Sequence, residues 1–340
     1  MKEIFFDIQI DGVSSTPKYQ QLANWVISCI RTGKICMGEH LPSINTLSEI
    51  LNLSRDTVEK AYRLLKKKKV IVSCIGRGYF VTGDLGVKMH IALFLNKMSF
   101  HKKEFYEAFK AQVKDQADLD LFIYDGDINK LQGLLQRHEQ SYDYIAIFPY
   151  FSTNRDQVTS VFSLIPTYKL VLLGTRLEGL EGRYTNIFED HENDIFEALS
   201  QLQPTLSKYQ TLKLVYPDGS DYPRSLIKGF YTFCQEHGYA YSLVDEVVSE
   251  VIEKGTCYIT IPDDDLVLLL EKITDSGLGL GREVGVIAYN ETAWKRCLMN
   301  GITTITVDAR QMGLSAGTSI LQASYDQVRI PAKIRQRGSC

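Results

Sequence analysis

Apolar side chains recur every three or four positions in the segment from Pro17 to Thr32. The apolar positions are Tyr19, Leu22, Ala23, Val26, Ile27 and Ile30. This spacing places them on one face of a helix, so the segment is predicted to form an amphipathic helix. Pro17 suits the first turn of that helix, where an N–H group has no partner within the helix, and Gly33 suits its end.

Two further helices and a hairpin are predicted after this segment. Ser43 is a candidate N-cap for a helix that runs through Leu51, and Ser54 is a candidate N-cap for a third helix. The short runs 70–73 and 79–81 are rich in β-branched and aromatic residues and flank a glycine-containing turn, which is typical of a β-hairpin. The order of helix, helix, turn, helix and hairpin predicts a winged helix-turn-helix.

From Met89 onward, apolar runs alternate with helical stretches. Most of the runs are continuously apolar, as expected for parallel strands that are covered on both faces. The alternation favours an open, mostly parallel α/β sheet, and the number of strands fits two Rossmann-like lobes better than one. The predicted strands are 89–95, 120–124, 143–148, 169–173, 185–188, 212–216, 241–244, 256–260, 284–288 and 303–306, and the predicted helices include 102–117, 127–138, 191–203, 223–237 and 264–276.

The predicted fold class is therefore α/β, with an N-terminal winged helix-turn-helix and a two-lobed domain that resembles periplasmic binding proteins. The domains are predicted at residues 1–83 and 89–340, with a linker at 84–88.

Charge follows the same division. Residues 1–83 contain 12 Lys or Arg and 7 Asp or Glu, whereas the remainder contains 26 basic and 34 acidic residues. A basic first domain on an acidic body suggests that only the first domain contacts a polyanion.

Composition excludes several other classes of protein. Hydrophobic residues make up 44% and charged residues 23% of the 340 residues, which is an ordinary globular balance. The sequence contains no apolar run long enough to cross a bilayer and no secretory h-region, so we expect a cytoplasmic protein without a membrane partner. The seven cysteines form no CxxC pair, so neither a disulfide framework nor a metal site is expected.

Motifs of catalysis are also missing from the sequence. It contains no GxSxG elbow, no P-loop and no HExxH motif. The glycine-rich segment 277–281 lies after a helix and before a strand, which is the wrong order for a nucleotide-binding fingerprint. We therefore expect no enzymatic activity and no cofactor.

The third helix has the chemistry of a recognition helix. Arg55 is long enough to reach a guanine edge or a phosphate, and Arg77 at the tip of the hairpin is placed to enter the minor groove. The four-lysine run 66–69 is open to two interpretations, a solvated helix end or a phosphate contact. The candidate DNA-binding residues are Ser43, Asn45, Thr46, Ser54, Arg55, Thr57, Lys60, Gly76 and Arg77.

The first domain resembles the GntR family of bacterial transcription regulators. The resemblance rests on the series Pro17-Lys18-Tyr19-Gln20-Gln21-Leu22, Gly38-Glu39-His40-Leu41-Pro42-Ser43, Ser54-Arg55-Asp56-Thr57-Val58 and Gly76-Arg77-Gly78-Tyr79-Phe80-Val81. It implies double-stranded operator DNA as a partner. The family usually has a basic residue where Asn45 stands, so one contact with DNA is in doubt at that position.

The body resembles the effector domain of LacI-type repressors and of type I periplasmic binding proteins. The motifs that carry this resemblance occur in the family's order and include Leu172-Leu173-Gly174-Thr175-Arg176, Arg224-Ser225, Lys228-Gly229-Phe230 and Gly285-Val286-Ile287-Ala288-Tyr289-Asn290-Glu291. The family has an aspartate where Asn290 stands, which changes the set of ligand hydroxyls that can be satisfied. The resemblance implies a ligand cleft between two lobes.

Ligands of open α/β sheets bind beyond the carboxyl ends of the strands, and two facing lobes bring those ends together. Amide, carboxylate and guanidinium groups beside aromatic faces suit a sugar. Structural roles stay open for several of these residues, such as an ion pair for Arg176, a capping role for His101 and simple packing for Tyr150. The candidate ligand-binding residues are Asn96, Ser99, His101, Glu104, Tyr150, Arg176, Asp218, Tyr222, Arg224, Asp263 and Asn290.

The combined resemblances imply a homodimeric transcription regulator. We expect it to repress a carbohydrate-utilisation operon until a monosaccharide binds in the inter-lobe cleft. A GntR-type head on a LacI-type body is similar to arabinose-responsive repressors of Gram-positive bacteria and to L-fucose-responsive regulators of Bacteroidetes, so L-fucose is one candidate effector. Two alternatives are a ligand-binding module that does not control DNA and an enzyme fused to a DNA-binding head.

Overall fold

The computed structural model shows a helical head followed by a two-lobed α/β body. Of the predicted linker 84–88, only Lys88 belongs to the described part of the chain, and the predicted helix end at Gly33 lies outside that part as well. The described residues are 8, 10, 17–31, 34–82, 88–138, 142–151, 157–177, 179–220 and 222–340.

The head contains the predicted helices and hairpin. Ser43 and Ser54 are the N-caps of the second and third helices, as the sequence predicts. One extra strand, β1, pairs antiparallel with the hairpin and was not predicted, because a two-residue strand has no periodicity to detect. The elements are α1 (Lys18–Arg31), β1 (His40–Leu41), α2 (Ile44–Leu51), α3 (Arg55–Lys67), β2 (Ile71–Cys74) and β3 (Gly78–Val81).

All ten strands predicted for the body are present, with ends shifted by up to three residues. The sequence did not predict α6, α10, β14 and β15. The elements are β4 (Met89–Leu95), α4 (Phe100–Val113), β5 (Ala117–Ile123), α5 (Ile128–His138), β6 (Tyr144–Ile147), α6 (Val158–Phe162), β7 (Leu170–Gly174), β8 (Thr185–Phe188), α7 (His191–Leu206), β9 (Thr211–Val215), α8 (Ser225–His237), β10 (Ala240–Val244), β11 (Thr256–Thr260), α9 (Asp263–Ser276), β12 (Val284–Tyr289), β13 (Thr303–Val307), α10 (Ala309–Gln322), β14 (Gln327–Arg329) and β15 (Ala332–Arg335).

The body contains two sheets, and each sheet is the centre of one lobe. In the described part of the chain, the sheet of the N-lobe has the order β14-β8-β7-β6-β4-β5, and all of its pairings are parallel. The sheet of the C-lobe has the order β10-β9-β11-β12-β13-β15, and β15 pairs antiparallel with β13. Buried apolar clusters cover both faces of each sheet, which is why the strands read as continuous apolar runs.

The chain crosses between the lobes three times within the described residues. It leaves the N-lobe after β8, returns through α10, and enters the C-lobe again between β14 and β15. Helix α10 packs on α4 through Met312, Ala316 and Ile320, which share the N-lobe core with Phe105 and Phe109. The N-lobe is therefore completed by residues that come more than 100 positions after its first strands.

One buried carboxylate ties two of these crossings together. Asp194, in the first turn of α7, is 4% exposed. Its oxygens accept hydrogen bonds from the backbone N–H of Asp190 at 2.9 Å, from the Arg329 guanidinium at 2.8 Å and from the backbone N–H of Ala332 at 3.2 Å. This clamp fixes the point from which the two lobes diverge, and so fixes the base of the cleft between them.

Close packing of α8 on α7 depends on a missing side chain at Gly229. A Cβ atom at Gly229 would lie 2.1 Å from the backbone oxygen of Glu192 and 2.7 Å from Ile195 Cγ2. By contrast, Gly133 in α5 has nothing within 4 Å of a built Cβ. The two glycines are thus a matched pair, one required by packing and one not.

We expect Gly229→Ala to destabilise the protein by about 1–3 kcal/mol, because the added methyl overpacks the contact between the two helices. Gly133→Ala should instead stabilise it by about 0.5–1 kcal/mol, since alanine is the better helix former. Urea unfolding of both variants beside the wild type measures the difference. Equal midpoints for the two variants would contradict the assigned role of Gly229.

Candidate functional site

The head presents one polar surface built from the starts of α2 and α3. Ser54 Oγ accepts a hydrogen bond from the Thr57 backbone N–H at 3.2 Å and lies 2.7 Å from Thr57 Oγ1. Ser43 and Thr46 repeat this arrangement at 3.1 Å and 2.7 Å. Both helix starts are therefore fixed by their own caps, and the predicted residues Ser43, Thr46, Ser54 and Thr57 have a structural role irrespective of any contact with DNA.

Charged and amide groups surround these caps. Arg55 is exposed at the first position of α3, and Asn45 is exposed in the first turn of α2. Lys60 is also exposed, but its ammonium lies 2.7 Å from an Asp56 carboxylate oxygen. Arg55 and Asn45 thus extend from the surface, whereas Lys60 shares its charge with a neighbour.

The wing is a tight hairpin whose tip is held by one imidazole. Gly76 and Gly78 both have positive φ, at 73° and 90°, and His40 Nε2 is hydrogen-bonded to the Arg77 backbone oxygen at 2.8 Å. A Cβ atom at Gly78 would lie 2.6 Å from that imidazole nitrogen, so only glycine fits there. The Arg77 side chain is exposed at the tip. Sequence reasoning did not identify the role of His40.

The lysine run after α3 is partly explained by the fold. Lys66 Nζ donates to Ser73 Oγ in β2 at 2.9 Å, which links the end of α3 to the wing. This contact gives Lys66 a structural role, whatever the other lysines of the run do.

The second candidate site is a cavity of about 640 Å³ between the two lobes. It lies beyond the carboxyl ends of the parallel strands, where ligands of such sheets bind. Eight of the predicted ligand-binding residues line it: Asn96, Ser99, His101, Tyr150, Asp218, Tyr222, Asp263 and Asn290. The structure thus brings these residues together, while their contact with a ligand remains a prediction.

Three predicted residues do not line the cavity. Glu104 is exposed on the outer face of α4, because the phase of that helix turns Lys102 inward instead. Arg176 lies beyond β7 as predicted, but its guanidinium stacks on the ring of Phe188 at 3.9 Å. Arg224 is exposed just before α8. Glu104, Arg176 and Arg224 lie near strand ends in the sequence, but their side chains do not line the cavity.

Lys102 is the main cavity residue that the sequence analysis missed. It is 7% exposed, and its ammonium donates to Asn96 Oδ1. The same ammonium lies 5.3 Å from the ring centre of Phe148 and 5.0 Å from that of Tyr150. Lys102 lies in the first turn of α4, three residues after the N-cap Ser99. This position close to the end of β4 is a signal that could have identified it.

Aromatic rings from the two lobes meet across the cleft. The rings of Tyr150 and Tyr222 are inclined by 14° with centres 6.4 Å apart, and His191 contacts both edge-on. Asn290 Nδ2 donates to the Tyr222 hydroxyl at 2.8 Å. Asn290 has a positive φ of 59°, a conformation that asparagine tolerates better than most residues. These contacts join the walls of the cavity at its centre.

Several buried polar atoms of the lining have no hydrogen-bond partner among the described residues. They are His101 Nε2, the Tyr289 hydroxyl and Thr292 Oγ1. Tyr289 is 7% and Thr292 is 5% exposed. Burial, with the nearby charge of Lys102, lowers the pKa of His101 to about 4, so its imidazole is neutral near pH 7. An unsatisfied buried polar group costs about 1–3 kcal/mol, so these atoms lower the stability of the wall in which they are buried.

Glu189 contributes a carboxyl group from the first crossing between the lobes. Burial and the neighbouring Asp194 raise its pKa to about 8, while Lys102 acts in the opposite direction. Its Oε2 lies 3.5 Å from His191 Nε2, and burial lowers the pKa of His191 to about 4. Near neutral pH the cavity wall therefore contains a carboxylic acid at Glu189, with the neutral imidazole of His191 behind it, and each group can both donate and accept hydrogen bonds. Glu189 directly follows a predicted strand, so the rule used for the other candidates could have found it.

Across the described ranges, no cluster of three or more His, Cys, Asp or Glu side chains is arranged to hold a metal ion. Within the same part of the chain, no helix is both long and apolar enough to cross a membrane.

Comparison with known proteins separates the two parts of the chain. Residues 18–81 match the family described as bacterial regulatory proteins, gntR family. The chain is 36% identical over 75 residues to the HTH-type transcriptional repressor YtrA of Bacillus subtilis, a match that covers 22% of this chain and 58% of that relative. The chain thus spans little more than half of the curated relative that it matches. The head is a GntR-family helix-turn-helix domain.

The fold of about three quarters of the chain is similar to that of solved repressors. The lac repressor dimer bound to operator and the anti-inducer ONPF is 16% identical with a TM-score of 0.61, covering 74% of this chain and 94% of that one. The trehalose repressor from Escherichia coli is 15% identical with a TM-score of 0.60, covering 73% and 100%. A periplasmic binding protein/LacI transcriptional regulator from Alkaliphilus metalliredigens, complexed with D-xylulofuranose, is 14% identical with a TM-score of 0.58, covering 74% and 99%. The body therefore has the fold of LacI-like repressors.

The raised pKa of Glu189 has a consequence for stability. A carboxyl group whose pKa rises from its ordinary value near 4.5 to about 8 on folding stabilises the folded state fully below pH 4.5. That contribution is lost as the pH rises toward 8, at about 1.4 kcal/mol per pH unit in the window between the two values. We expect Glu189→Gln to remove this dependence and to be more stable than the wild type at pH 8.

Urea unfolding at pH 5, 6.5 and 8 measures the effect. The matched control is Glu271→Gln, which changes an exposed carboxylate in α9. A difference between Glu189→Gln and the wild type that does not change with pH would mean that Glu189 is already ionised throughout.

Proposed function

We propose that this protein is a transcription regulator whose binding to operator DNA is controlled by a small sugar in the inter-lobe cavity. The finer proposal is that it represses a carbohydrate-utilisation operon in the cytoplasm as a homodimer, and that the sugar relieves repression. The GntR-family head and the LacI-like fold of the body support the general class. The lining of the cavity, which combines hydroxyl, amide and carboxyl groups with aromatic rings, carries the proposal for the ligand.

The head supplies the contact with DNA. Exposed Arg55 at the start of α3 has the length and the donors to read a guanine edge in the major groove, and Arg77 at the wing tip is positioned for the minor groove. The excess of basic residues in 1–83 supports a contact with phosphates. Two heads in a homodimer would bind two half-sites of a pseudo-palindromic operator.

The cavity supports a neutral polyhydroxylated ligand. Hydroxyl, carboxyl and amide groups of Ser99, Asp218 and Asn290 line it, and sugar hydroxyls can pair with such groups because a hydroxyl both donates and accepts. The side chains of Tyr150 and Tyr222 border the cavity and offer apolar surface beside its polar groups for the C–H groups of a pyranose. A volume of about 640 Å³ lies within the usual range for small-molecule sites.

The ligand would act by changing the angle between the lobes. Its binding can shift the equilibrium between two lobe arrangements only by the difference in its affinity for them. Tyr150 of the N-lobe and Tyr222 of the C-lobe face each other across the cleft, so a sugar between the lobes would contact both. If the homodimer interface involves both lobes, a change in their angle would alter the spacing of the two heads.

A thermal-shift screen of monosaccharides and sugar phosphates, with L-fucose among them, tests the ligand class. A bound sugar at a hundredfold excess over its Kd adds about 2.7 kcal/mol to the free energy of unfolding, which raises the melting midpoint. We expect Asn290→Asp to weaken the binding of the active sugar about tenfold or more, because it replaces an amide donor with a group that only accepts.

The exposed Asn129 in α5 provides the control, and Asn129→Ala should keep the wild-type shift. A panel in which no neutral sugar raises the midpoint would count against a carbohydrate effector, and would direct the search to purines or amino acids.

The DNA contact is tested by replacing Arg55 and Arg77 together with alanine. The operator is first selected from random double-stranded fragments by the wild-type protein. We expect the double variant to lose about a hundredfold or more in affinity for this operator, since it lacks a base contact and a groove contact. Its melting curve should match that of the wild type, because both side chains are exposed.

The control removes two positive charges from the body, with Lys130→Ala and Lys254→Ala combined. Both lysines are on the surface and pair with acidic neighbours. If the two double variants bind the operator equally well, the assignment of Arg55 and Arg77 is wrong.

A further inference from the structure

Lys295 is the least exposed lysine side chain among the described residues, at 1%, and it does not line the cavity. It lies in a short 3-10 turn, Trp294–Arg296, that follows β12. A buried ammonium is unfavourable unless all of its donors are satisfied, so its partners should be informative.

The ammonium has three N–H donors, and three acceptor oxygens of neighbouring residues surround it. Lys295 Nζ lies 2.8 Å from the backbone oxygen of Tyr289, 2.8 Å from that of Asn290 and 2.7 Å from an Asp263 carboxylate oxygen. This set uses every N–H group of the lysine. The contacts connect the carboxyl end of β12 to Asp263, the first residue of α9, which lies at the opposite end of α9 from the loop that leads to β12.

All three partners belong to residues that line the inter-lobe cavity. Tyr289 carries one of the unsatisfied hydroxyls, and Asn290 donates from its side chain to Tyr222. The backbone of Asn290 is in the left-handed region, which turns its carbonyl oxygen toward the buried lysine. Lys295 thus contacts the residues of the cavity wall from the protein interior, on the side away from the cavity.

We propose that Lys295 is the positioning residue of the effector site, which fixes the spacing of Asn290, Tyr289 and Asp263 and thereby sets the selectivity among sugars. This inference rests on the proposed function insofar as the occupant is a sugar. The Lys295 ammonium holds the end of β12 and the start of α9 at a fixed distance from each other. Sugars that differ in the direction of one hydroxyl are then distinguished, because the groups that meet that hydroxyl cannot move to follow it.

A merely stabilising role would have a different signature. If Lys295 contributed only to the stability of the C-lobe, its removal would lower the melting midpoint while the folded fraction bound every sugar as the wild type does. A positioning role instead changes the ratio of affinities between two epimers. The ratio is therefore the readout that separates the two roles.

The test uses the full chain and Lys295→Met, which keeps most of the side-chain volume and removes the charge. Isothermal titration at 15 °C compares the Kd of the most active sugar of the panel and of its nearest epimer. We expect the active sugar to lose about tenfold to a hundredfold in affinity, because wall groups that lose their supporting contact no longer meet the sugar in one fixed geometry. The ratio between the epimers should fall toward one.

The matched control is Lys254→Met, in which an exposed lysine of the same lobe loses its pairing with Glu283. It should leave both constants unchanged. If Lys295→Met does not fold, Lys295→Gln retains an amide donor for one carbonyl and takes its place. Wild-type affinities and an unchanged epimer ratio in a folded Lys295 variant would overturn the proposal.

A second measurement needs no sugar. The side-chain amide of Asn290, assigned by its loss in Asn290→Asp, reports the hydrogen bond to Tyr222 through its NMR shift. We expect this resonance to move in Lys295→Met and not in Lys254→Met, and an unmoved resonance would contradict the positioning role. If no sugar binds the wild type, the proposed function fails while this measurement still decides the role of Lys295.

Discussion

The geometry of the body depends on the carboxylate of Asp194. Three donors converge on it: one from the last residue of β14, one from the first residue of β15 and one from the segment after β8. Because the lobes are connected only through such crossings in the described chain, this one group decides where they diverge. Glu189 lies at that point, and the repulsion from Asp194 is one cause of its raised pKa. The carboxylate that holds the crossings together therefore also raises the pKa of a residue that lines the cavity.

Burial keeps several polar groups in and beside the cleft in neutral form. Desolvation keeps His101 and His191 unprotonated and Glu189 protonated near pH 7. Neutral groups that both donate and accept are suited to hydroxyls, whereas fully charged groups would favour ions. Charged side chains line the cavity as well, and the carboxylate of one of them, Asp263, is paired with Lys295; they are Lys97, Lys102, Asp125, Asp218, Asp263 and Asp264.

Much of this arrangement could be predicted from the sequence, because local signals determine it. Short-range patterns predict the caps Ser43 and Ser54 and the continuous apolar strands. Eight of the residues predicted to bind a ligand, most of them just after strands, line the cavity. Arg176 did not, because the ring of Phe188 offered its guanidinium a closer partner. The return of the chain through α10 and the role of Lys295 depend on contacts between distant segments, which periodicity does not report.

The return of the chain through α10 also has a consequence for the order in which the protein is made. The elements of the head end at Val81, so they are complete early in synthesis, whereas the N-lobe lacks part of its core until Ala309–Gln322 has been added. Domains generally fold as units while the chain emerges. A nascent or truncated chain that lacks α10 would therefore carry a complete head beside an N-lobe with an incomplete core.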